Sequence, residues 1–276
     1  MPSATGTPYG LPDLLRVMAR LRDPESGCPW DLEQDFQSIV PSTLEECYEL
    51  AQAIEQEDYP HVAEELGDVL FQVVFYSQLG SELDLFSFES VIDTLVTKLI
   101  RRHPHVFADG EIEGVVRGGS TVEAVKTSWE TIKQQERNDK SQGGVLADVP
   151  VALPALPRAQ KLQKRASRVN FDWPDAISVL TKLEEEIAEL RQAIASGERA
   201  KLEEETGDVL FTCVNIARHL GVDAETSLRR ANSKFESRFQ HMEANARAIG
   251  RALVDMSDDE LDAMWLTAKA LDARRE

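Results

Sequence analysis

Hydrophobic positions recur along the chain with the spacing of amphipathic helices. Near the start, Leu14, Leu15, Met18 and Leu21 are three or four residues apart, a spacing that places them on one face of a helix. The same pattern, with its breaks at proline and glycine, predicts helices near residues 12–22, 42–57, 61–79, 88–102 and 121–140, and again near 158–168, 174–196, 199–220, 223–247 and 257–273. We therefore expect an all-α fold in which two antiparallel helical bundles form a tandem repeat.

The second and third predicted helices carry distinct sequence signatures. Ser42 and Glu45 form a capping-box pattern just after Pro41, which predicts a helix start at Ser42 or Thr43. Residues 23–30 before it have the composition of a loop. Beyond Asp68 the next helix is apolar nearly all round, which indicates that it lies in an interior.

The chain has 276 residues, which is enough for two domains of ordinary size. Glycines and prolines cluster between the two sets of helices and indicate a linker. We predict an N-terminal domain over residues 1–145, a linker over 146–157 and a C-terminal domain over 158–276.

An acidic pattern occurs twice in the chain. Glu45-Glu46-x-x-Glu49 is followed by Glu65-x-x-Asp68, and every acid recurs 140 residues later as Glu185-Glu186-x-x-Glu189 and Glu205-x-x-Asp208. Between windows 45–74 and 185–214, 15 of 30 positions are identical without a gap. A solvated acidic surface has no reason to hold such a register, so the repeat indicates a duplicated site.

The repeated acids lie on the apolar stripes of their helices. Glu46 and Glu49 share a face with Leu50, Ala53 and Ile54, and carboxylates there are costly unless they are paired or neutralised. A site made only of oxygen ligands favours magnesium, with manganese as a substitute. The eight predicted metal ligands are Glu46, Glu49, Glu65 and Asp68, and Glu186, Glu189, Glu205 and Asp208.

A solvated surface and a di-iron centre are the alternatives to a magnesium site. A single Glu-Glu-x-x-Glu motif is usually a solvated face, and only its pairing and duplication favour a metal site. Di-iron bundles add Glu-x-x-His motifs, which this chain lacks. Gly67 and Gly207, each directly before the aspartate, indicate close helix approach or a ligand, because a glycine inside a helix costs about 1 kcal/mol.

A second repeated set combines bases with tryptophan. Lys98-x-x-x-Arg102 and Trp129-x-x-x-Lys133 recur 136 residues later as Lys234-x-x-x-Arg238 and Trp265-x-x-x-Lys269. Cations suit phosphate oxygens, and an indole could stack on a base or ribose. The alternative is bases that lie along the surface and a tryptophan that belongs to the core.

The 49 acids exceed the 30 basic residues and give a formal net charge of −19. Such a surface repels a phosphate backbone, so we expect no nucleic-acid partner.

Three cysteines without C-x-x-C spacing indicate neither a disulfide framework nor a zinc site. No apolar run approaches the roughly 20 residues of a membrane span, and the N-terminus lacks a signal-peptide pattern. We therefore expect a cytoplasmic protein without a membrane partner.

From Leu11 to Lys269 the chain resembles the MazG family of nucleoside triphosphate pyrophosphohydrolases, in its two-domain bacterial form. This family is part of the all-α NTP pyrophosphatase superfamily. The motifs that carry the resemblance are the acidic repeats and Cys28-Pro29-Trp30-Asp31, Arg102-His103-Pro104-His105-Val106-Phe107, Phe171-Asp172-Trp173, Lys234-Phe235-x-x-Arg238-Phe239 and Trp265-x-x-x-Lys269. Asn170 stands where the family pattern has glycine, and asparagine tolerates a left-handed turn.

The resemblance implies that the chain, as a homodimer, hydrolyses NTPs or dNTPs between the α and β phosphates with magnesium. Magnesium would be bound by Glu186, Glu189, Glu205 and Asp208, phosphates by Lys234, Arg238 and Lys269, and the nucleoside would lie near Trp265. It also implies that the C-terminal half is the main catalyst, although the N-terminal half keeps the equivalent acids.

For the chemistry, Glu185, or Glu45 in the first half, is the candidate base or water-orienting residue. No P-loop sequence is present, so release of orthophosphate is not expected. The alternative function is a metal-dependent protein that binds or senses nucleotides without turnover. A pure scaffold would not explain acids on apolar stripes.

Overall fold

The computed structural model describes residues 8–115, 119, 121–139 and 144–272, and over these residues the chain is helical, with no strand. It divides into two compact units, Met1–Glu136 and Arg137–Glu276. Each unit is built from antiparallel helices that follow one another in sequence. The predicted all-α class and its tandem arrangement are confirmed.

In the first unit, the long helix α4 is central. The helices are α1 (Leu11–Leu21), α2 (Pro29–Glu33), α3 (Val40–Glu55), α4 (Tyr59–Glu82), α5 (Phe88–Arg102) and α6 (Val122–Asp139), the last of which extends past the unit boundary. Helices α1, α3 and α5 all pack against α4. Met18, Ile39, Val74, Phe75 and Leu79 form the buried core between them.

In the second unit, α9 packs against both α8 and α7. The helices are α7 (Ala155–Ser167), α8 (Ala176–Ser196), α9 (Arg199–His219), α10 (Ala224–Ala248) and α11 (Asp258–Asp272). Helix α10 packs against α7, α9 and α11. Asn170, in the turn after α7, has a φ of +61°, the left-handed conformation expected at this position.

The start of α3 differs from the prediction. The helix begins at Val40, and no side chain caps it, so the capping box predicted for Ser42 and Glu45 is wrong. Pro41 fits the first turn because that turn requires no N–H from it, and Ile39 anchors the start in the core. The expected loop over 23–30 also ends earlier, because α2 begins at Pro29.

Helix α4 is not enclosed on all sides. Its inner face carries Val74, Phe75 and Leu79, whereas Leu66, Leu70 and Val73 on another face are 53%, 41% and 41% exposed. The interior position predicted for this helix is therefore wrong for that face. In the second unit, Leu210 and Phe211 of α9 are likewise exposed. Among the described residues, no helix has the length and apolarity needed to cross a membrane.

A buried arginine ties three helices of the first unit together. Arg22, at the end of α1, donates to the Glu82 carboxylate of α4 (Nε–Oε1 2.8 Å) and to the carbonyl oxygens of Asp31 and Gln34. Its guanidinium lies 5.4 Å from the ring centre of Phe75. The hydrogen bond with Arg22 is the largest cause that holds the pKa of Glu82 below its ordinary value.

The turns between the paired helices make a matched test of backbone strain. Glu57, between α3 and α4, has a φ of +57°, whereas Gly197 holds the equivalent place between α8 and α9 with a φ of +70°. A left-handed conformation costs a residue with a Cβ about 1 kcal/mol. We expect Glu57→Gly to raise the free energy of unfolding by about 0.5–1 kcal/mol, measured by urea denaturation. Gly197→Glu should lower it by a similar amount, and a destabilised Glu57→Gly variant would contradict the prediction.

Candidate functional site

The first acidic cluster lies where α3 packs against α4. Glu46 and Glu49 come from α3, Glu65 comes from α4, and each offers a carboxylate oxygen within 4.8 Å of the others. Glu65 is buried and Glu46 is half-buried. The antiparallel packing of two consecutive helices therefore brings together acids that lie on separate motifs in the sequence.

A second acidic cluster lies at the corresponding place between α8 and α9, with a different set of three acids. Glu186 is buried on α8, and Glu205 and Asp208 come from α9, again with one oxygen from each within 4.8 Å of the others. The fourth predicted ligand of each set, Asp68 in the first unit and Glu189 in the second, is not among these three acids. Both interact with their cluster, as the pKa shifts of Glu46 and Glu189 indicate.

Crowding of like charges disfavours the ionised form in the first cluster. Burial is the largest cause that raises the pKa of Glu46, followed by the negative charges of Asp68, Glu49, Glu65 and Glu45. A cation placed among these carboxylates would remove both penalties.

One oxygen of Glu65 provides a direct test of whether the residues fit a cation. His61 Nε2 lies 2.6 Å from Glu65 Oε1, while Glu65 Oε2 is buried without a hydrogen-bond partner among the described residues. A buried carboxylate oxygen without a partner is costly, and a hard divalent cation accepts oxygen ligands of this kind. The first cluster therefore fits such a cation.

A lysine enters the second cluster. Lys182 Nζ lies 2.7 Å from Glu185 Oε1 and 3.0 Å from Glu186 Oε1. Burial is the largest cause that raises the pKa of Glu189, the charge of Lys182 opposes that rise, and the charges of Glu186 and Glu205 add to it. Lys182 and His61 were absent from the sequence prediction, although each is four residues from a cluster glutamate, a spacing that signals contact on a helix.

The two candidate bases lie at the edge of the clusters. Glu185 is held by Lys182 and its side chain is 59% exposed, and Glu45 is also exposed. A Cβ added at Gly67 or Gly207 would meet nothing within 4 Å. Close helix packing within the described chain therefore does not explain these glycines.

In the second unit, Trp265 of α11 borders an open apolar cavity. The ring centre of Trp265 lies 5.3 Å from the ring centre of Phe235. The guanidinium of Arg238 lies 5.7 Å from the ring centre of Trp265. The cavity has a volume of about 450 Å³ and is lined by Phe235, Phe239, Met242, Leu253, Val254, Leu261, Asp262 and Trp265. Lys234 and Lys269 are exposed on α10 and α11. Trp265 thus lies at an accessible aromatic surface rather than inside the core.

The corresponding residues of the first unit are arranged differently. Trp129 lies 6.4 Å from the ring of His103, and Lys98 is half-buried on α5. The side chain of Lys133 falls outside the part of the chain that the structure describes. Arg102, a predicted phosphate ligand, shares the carboxylate of Glu136 with Arg101, so its counter-ion is already an acid of the same unit.

The Glu136 pairing should make stability depend on pH. Its hydrogen bond with Arg102 is the largest cause that lowers its pKa to about 2. A lowered folded-state pKa adds stability above the ordinary value of 4.5, and this stability is lost as the pH falls toward 2. At pH 6 we expect Glu136→Gln to lose about 1–2 kcal/mol of unfolding free energy.

Urea denaturation of both proteins at several pH values measures this effect. The difference between them should shrink steadily below about pH 4.5. A difference that is constant between pH 6 and pH 2.5 would contradict the assignment of this pairing to stability.

Two segments of the chain match a known protein family. The model of the MazG nucleotide pyrophosphohydrolase domain matches residues 34–107 and again residues 175–243. The chain belongs to the MazG family. The two matched segments contain both acidic clusters together with Lys98, Arg102, Lys234 and Arg238, so the resemblance read from the motifs is confirmed.

Individual relatives cover the same region. The nucleoside triphosphate pyrophosphohydrolase of Escherichia coli strain K12 is 48% identical over 260 residues, which are 93% of this chain and 95% of that protein. The nucleoside triphosphate pyrophosphohydrolase/pyrophosphatase MazG of Thermotoga maritima is 43% identical over 260 residues, covering 94% and 96% of the two chains. The nucleoside triphosphate pyrophosphohydrolase of Mycolicibacterium smegmatis is 36% identical over 163 residues, 58% of this chain and 47% of that protein.

Proposed function

We propose that this chain hydrolyses nucleoside triphosphates, NTPs or dNTPs, between the α and β phosphates to a nucleoside monophosphate and pyrophosphate. The observation that carries the proposal is the cluster of three carboxylates in each MazG segment. In the first cluster, Glu65 Oε2 is buried without a hydrogen-bond partner among the described residues. The names of the E. coli and T. maritima relatives support the same activity. We take the second unit as the main catalytic one.

The proposed cofactor is magnesium, with manganese as a substitute. Glu186, Glu189, Glu205 and Asp208 would hold it in the second unit, and Glu46, Glu49, Glu65 and Asp68 in the first. When bound, the ion supplies Lewis-acid polarisation of phosphate oxygens and neutralises their charge. Carboxylates are suited to this cation because it prefers hard oxygen ligands.

The bases and aromatic residues of the second unit position the nucleotide in this proposal. Arg238 can offer two parallel N–H donors to phosphate oxygens, and Lys234 and Lys269 add charge from α10 and α11. The aromatic cavity beside Trp265 has room for a base or ribose and provides stacking surface. Glu185 orients the attacking water and accepts its proton, and catalysis otherwise rests on positioning and charge neutralisation.

The products of the reaction test the function. Purified protein is incubated with ATP and with dGTP in magnesium buffer, and the products are separated by ion-exchange chromatography. Monophosphate with pyrophosphate is expected. Diphosphate with orthophosphate would contradict the proposed bond cleavage, and bound but unchanged nucleotide would favour the alternative, a metal-dependent nucleotide-binding protein.

We also propose a homodimer in the cytoplasm. The exposed apolar side chains Leu66, Leu70 and Val73 on α4, and Leu210 and Phe211 on α9, support self-association because such side chains gain from leaving water. Size-exclusion chromatography with light scattering gives the molar mass, and a value near the 30.8 kDa of one chain would contradict the dimer.

A further inference from the structure

The two acidic clusters differ in the basic side chain that contacts them. In the second cluster this is Lys182 of α8, which contacts both Glu185 and Glu186. The repeat places Ser42 at the equivalent position of α3. In the first cluster the base is His61 of α4. The equivalent of His61 is Lys201, which pairs with Glu198 at 3.0 Å. The two sites therefore have equivalent acids in the sequence and differ in the basic side chain that contacts them.

This difference changes what a metal ion meets. An ammonium group is a full positive charge that competes with a metal for carboxylate oxygens, and Lys182 contacts two carboxylates at once, whereas the His61 ring contacts one. Lys182 occupies one oxygen of the buried Glu186, and its charge also reaches Glu189. In the first cluster, by contrast, Glu65 Oε2 has no partner among the described residues. Among the described residues, a metal cation therefore displaces an ammonium group in the second cluster but not in the first.

We propose that the first acidic cluster binds divalent cations more tightly than the second, because Lys182 must leave Glu185 and Glu186 before the second cluster can bind one. The inference rests on the proposed function in taking both clusters as metal sites. It assigns the first unit a metal site that fills at cation concentrations too low to fill the second. Loading of the second unit is then the step that responds to the concentration of free cation.

The test is a titration of the full-length protein with Mn²⁺, followed by the electron paramagnetic resonance signal of the free ion. All variants are titrated at the same fixed pH. The double variant Glu186→Gln/Glu189→Gln retains the first cluster, and Glu46→Gln/Glu49→Gln retains the second. We expect the Kd of the first cluster to be about tenfold lower than that of the second.

Exchange of the repeat-equivalent residues Lys182 and Ser42 tests whether Lys182 causes the difference in Kd between the two clusters. With only the second cluster intact, Lys182→Ser should tighten binding about tenfold, whereas Lys182→Arg, which keeps the charge, should leave it weak. With only the first cluster intact, Ser42→Lys should weaken binding by a similar factor. Circular dichroism checks that each variant folds, and the Ser42→Lys result decides if Lys182→Ser does not fold.

The outcomes separate this inference from the proposed function. Equal Kd values for the two clusters, or exchanges that leave both Kd values unchanged, would overturn the inference and leave metal-dependent hydrolysis standing. Absence of Mn²⁺ binding to the wild-type protein would overturn both.

Discussion

Replacement of Glu186 by glutamine should lower nucleotide hydrolysis about 1,000-fold, which corresponds to about 4 kcal/mol of lost transition-state stabilisation. Glu186 is buried in the second cluster, between Lys182 and Glu189. The amide has nearly the same shape but removes one negative charge from the quartet, so the cluster holds a cation less well. Glu189→Gln should have a similar effect. Steady-state rates of pyrophosphate release measure the loss.

Two matched variants control this experiment. Glu46→Gln makes the same change at the equivalent position of the first unit and should retain at least half of the activity if the second unit is the main catalyst. Glu184→Gln alters an exposed neighbour on α8 and should leave the rate unchanged. A Glu186→Gln variant that is folded by circular dichroism and keeps a tenth of the wild-type rate would remove this residue from the metal ligands.

Replacement of Arg238 by alanine should lower kcat/KM for nucleoside triphosphates about 100-fold. The guanidinium lies close to the ring of Trp265, so its loss should affect both the proposed phosphate contact and the aromatic surface proposed to bind the nucleoside. Arg238→Lys keeps the charge but not the two parallel donors, and should lose about tenfold. Initial rates across a range of ATP concentrations measure both variants.

The first unit supplies the control for Arg238. Arg102→Ala removes the repeat-equivalent arginine, which is bonded to Glu136. Its main effect should therefore be on stability, with kcat/KM retained within about twofold. Comparable losses of activity in the Arg102 and Arg238 variants would contradict the proposal that the second unit is the main catalyst. An Arg238→Ala variant with a kcat/KM within threefold of wild type would contradict the proposed role of Arg238 in phosphate binding.

Most of the helices and the acids of the candidate site could be predicted from local patterns in the sequence. Helix α5 was predicted over the range that it occupies, because Pro104 follows its end. The structure adds a cap from Ser87 at its start. The acids that lie on one helix could be grouped from the sequence because residues three and four apart share a helical face. His61 and Lys182 have equally local signals, so the same helical spacing could have identified them.

Contacts between distant residues could not be predicted in this way. Arg22 and Glu82 are 60 positions apart, and Arg102 and Glu136 are 34 apart. Nothing in the periodicity of either segment selects its partner. The sequence pattern of α4 shows that its residues are hydrophobic, but it does not show which face packs against the rest of the chain. Its exposed and buried faces have similar composition.

Each acidic cluster is contained in one helical hairpin, residues 46–68 in the first unit and 186–208 in the second. The hairpins close through turns of only a few residues, between Glu55 and Tyr59 and between Ser196 and Arg199. Such contacts have low contact order and form early, since little chain entropy is lost in closing a short loop. Repulsion among the carboxylates must therefore be overcome at the beginning of folding. We expect divalent cations to accelerate refolding of each hairpin, so that the rate of folding, as well as catalysis, depends on the ion.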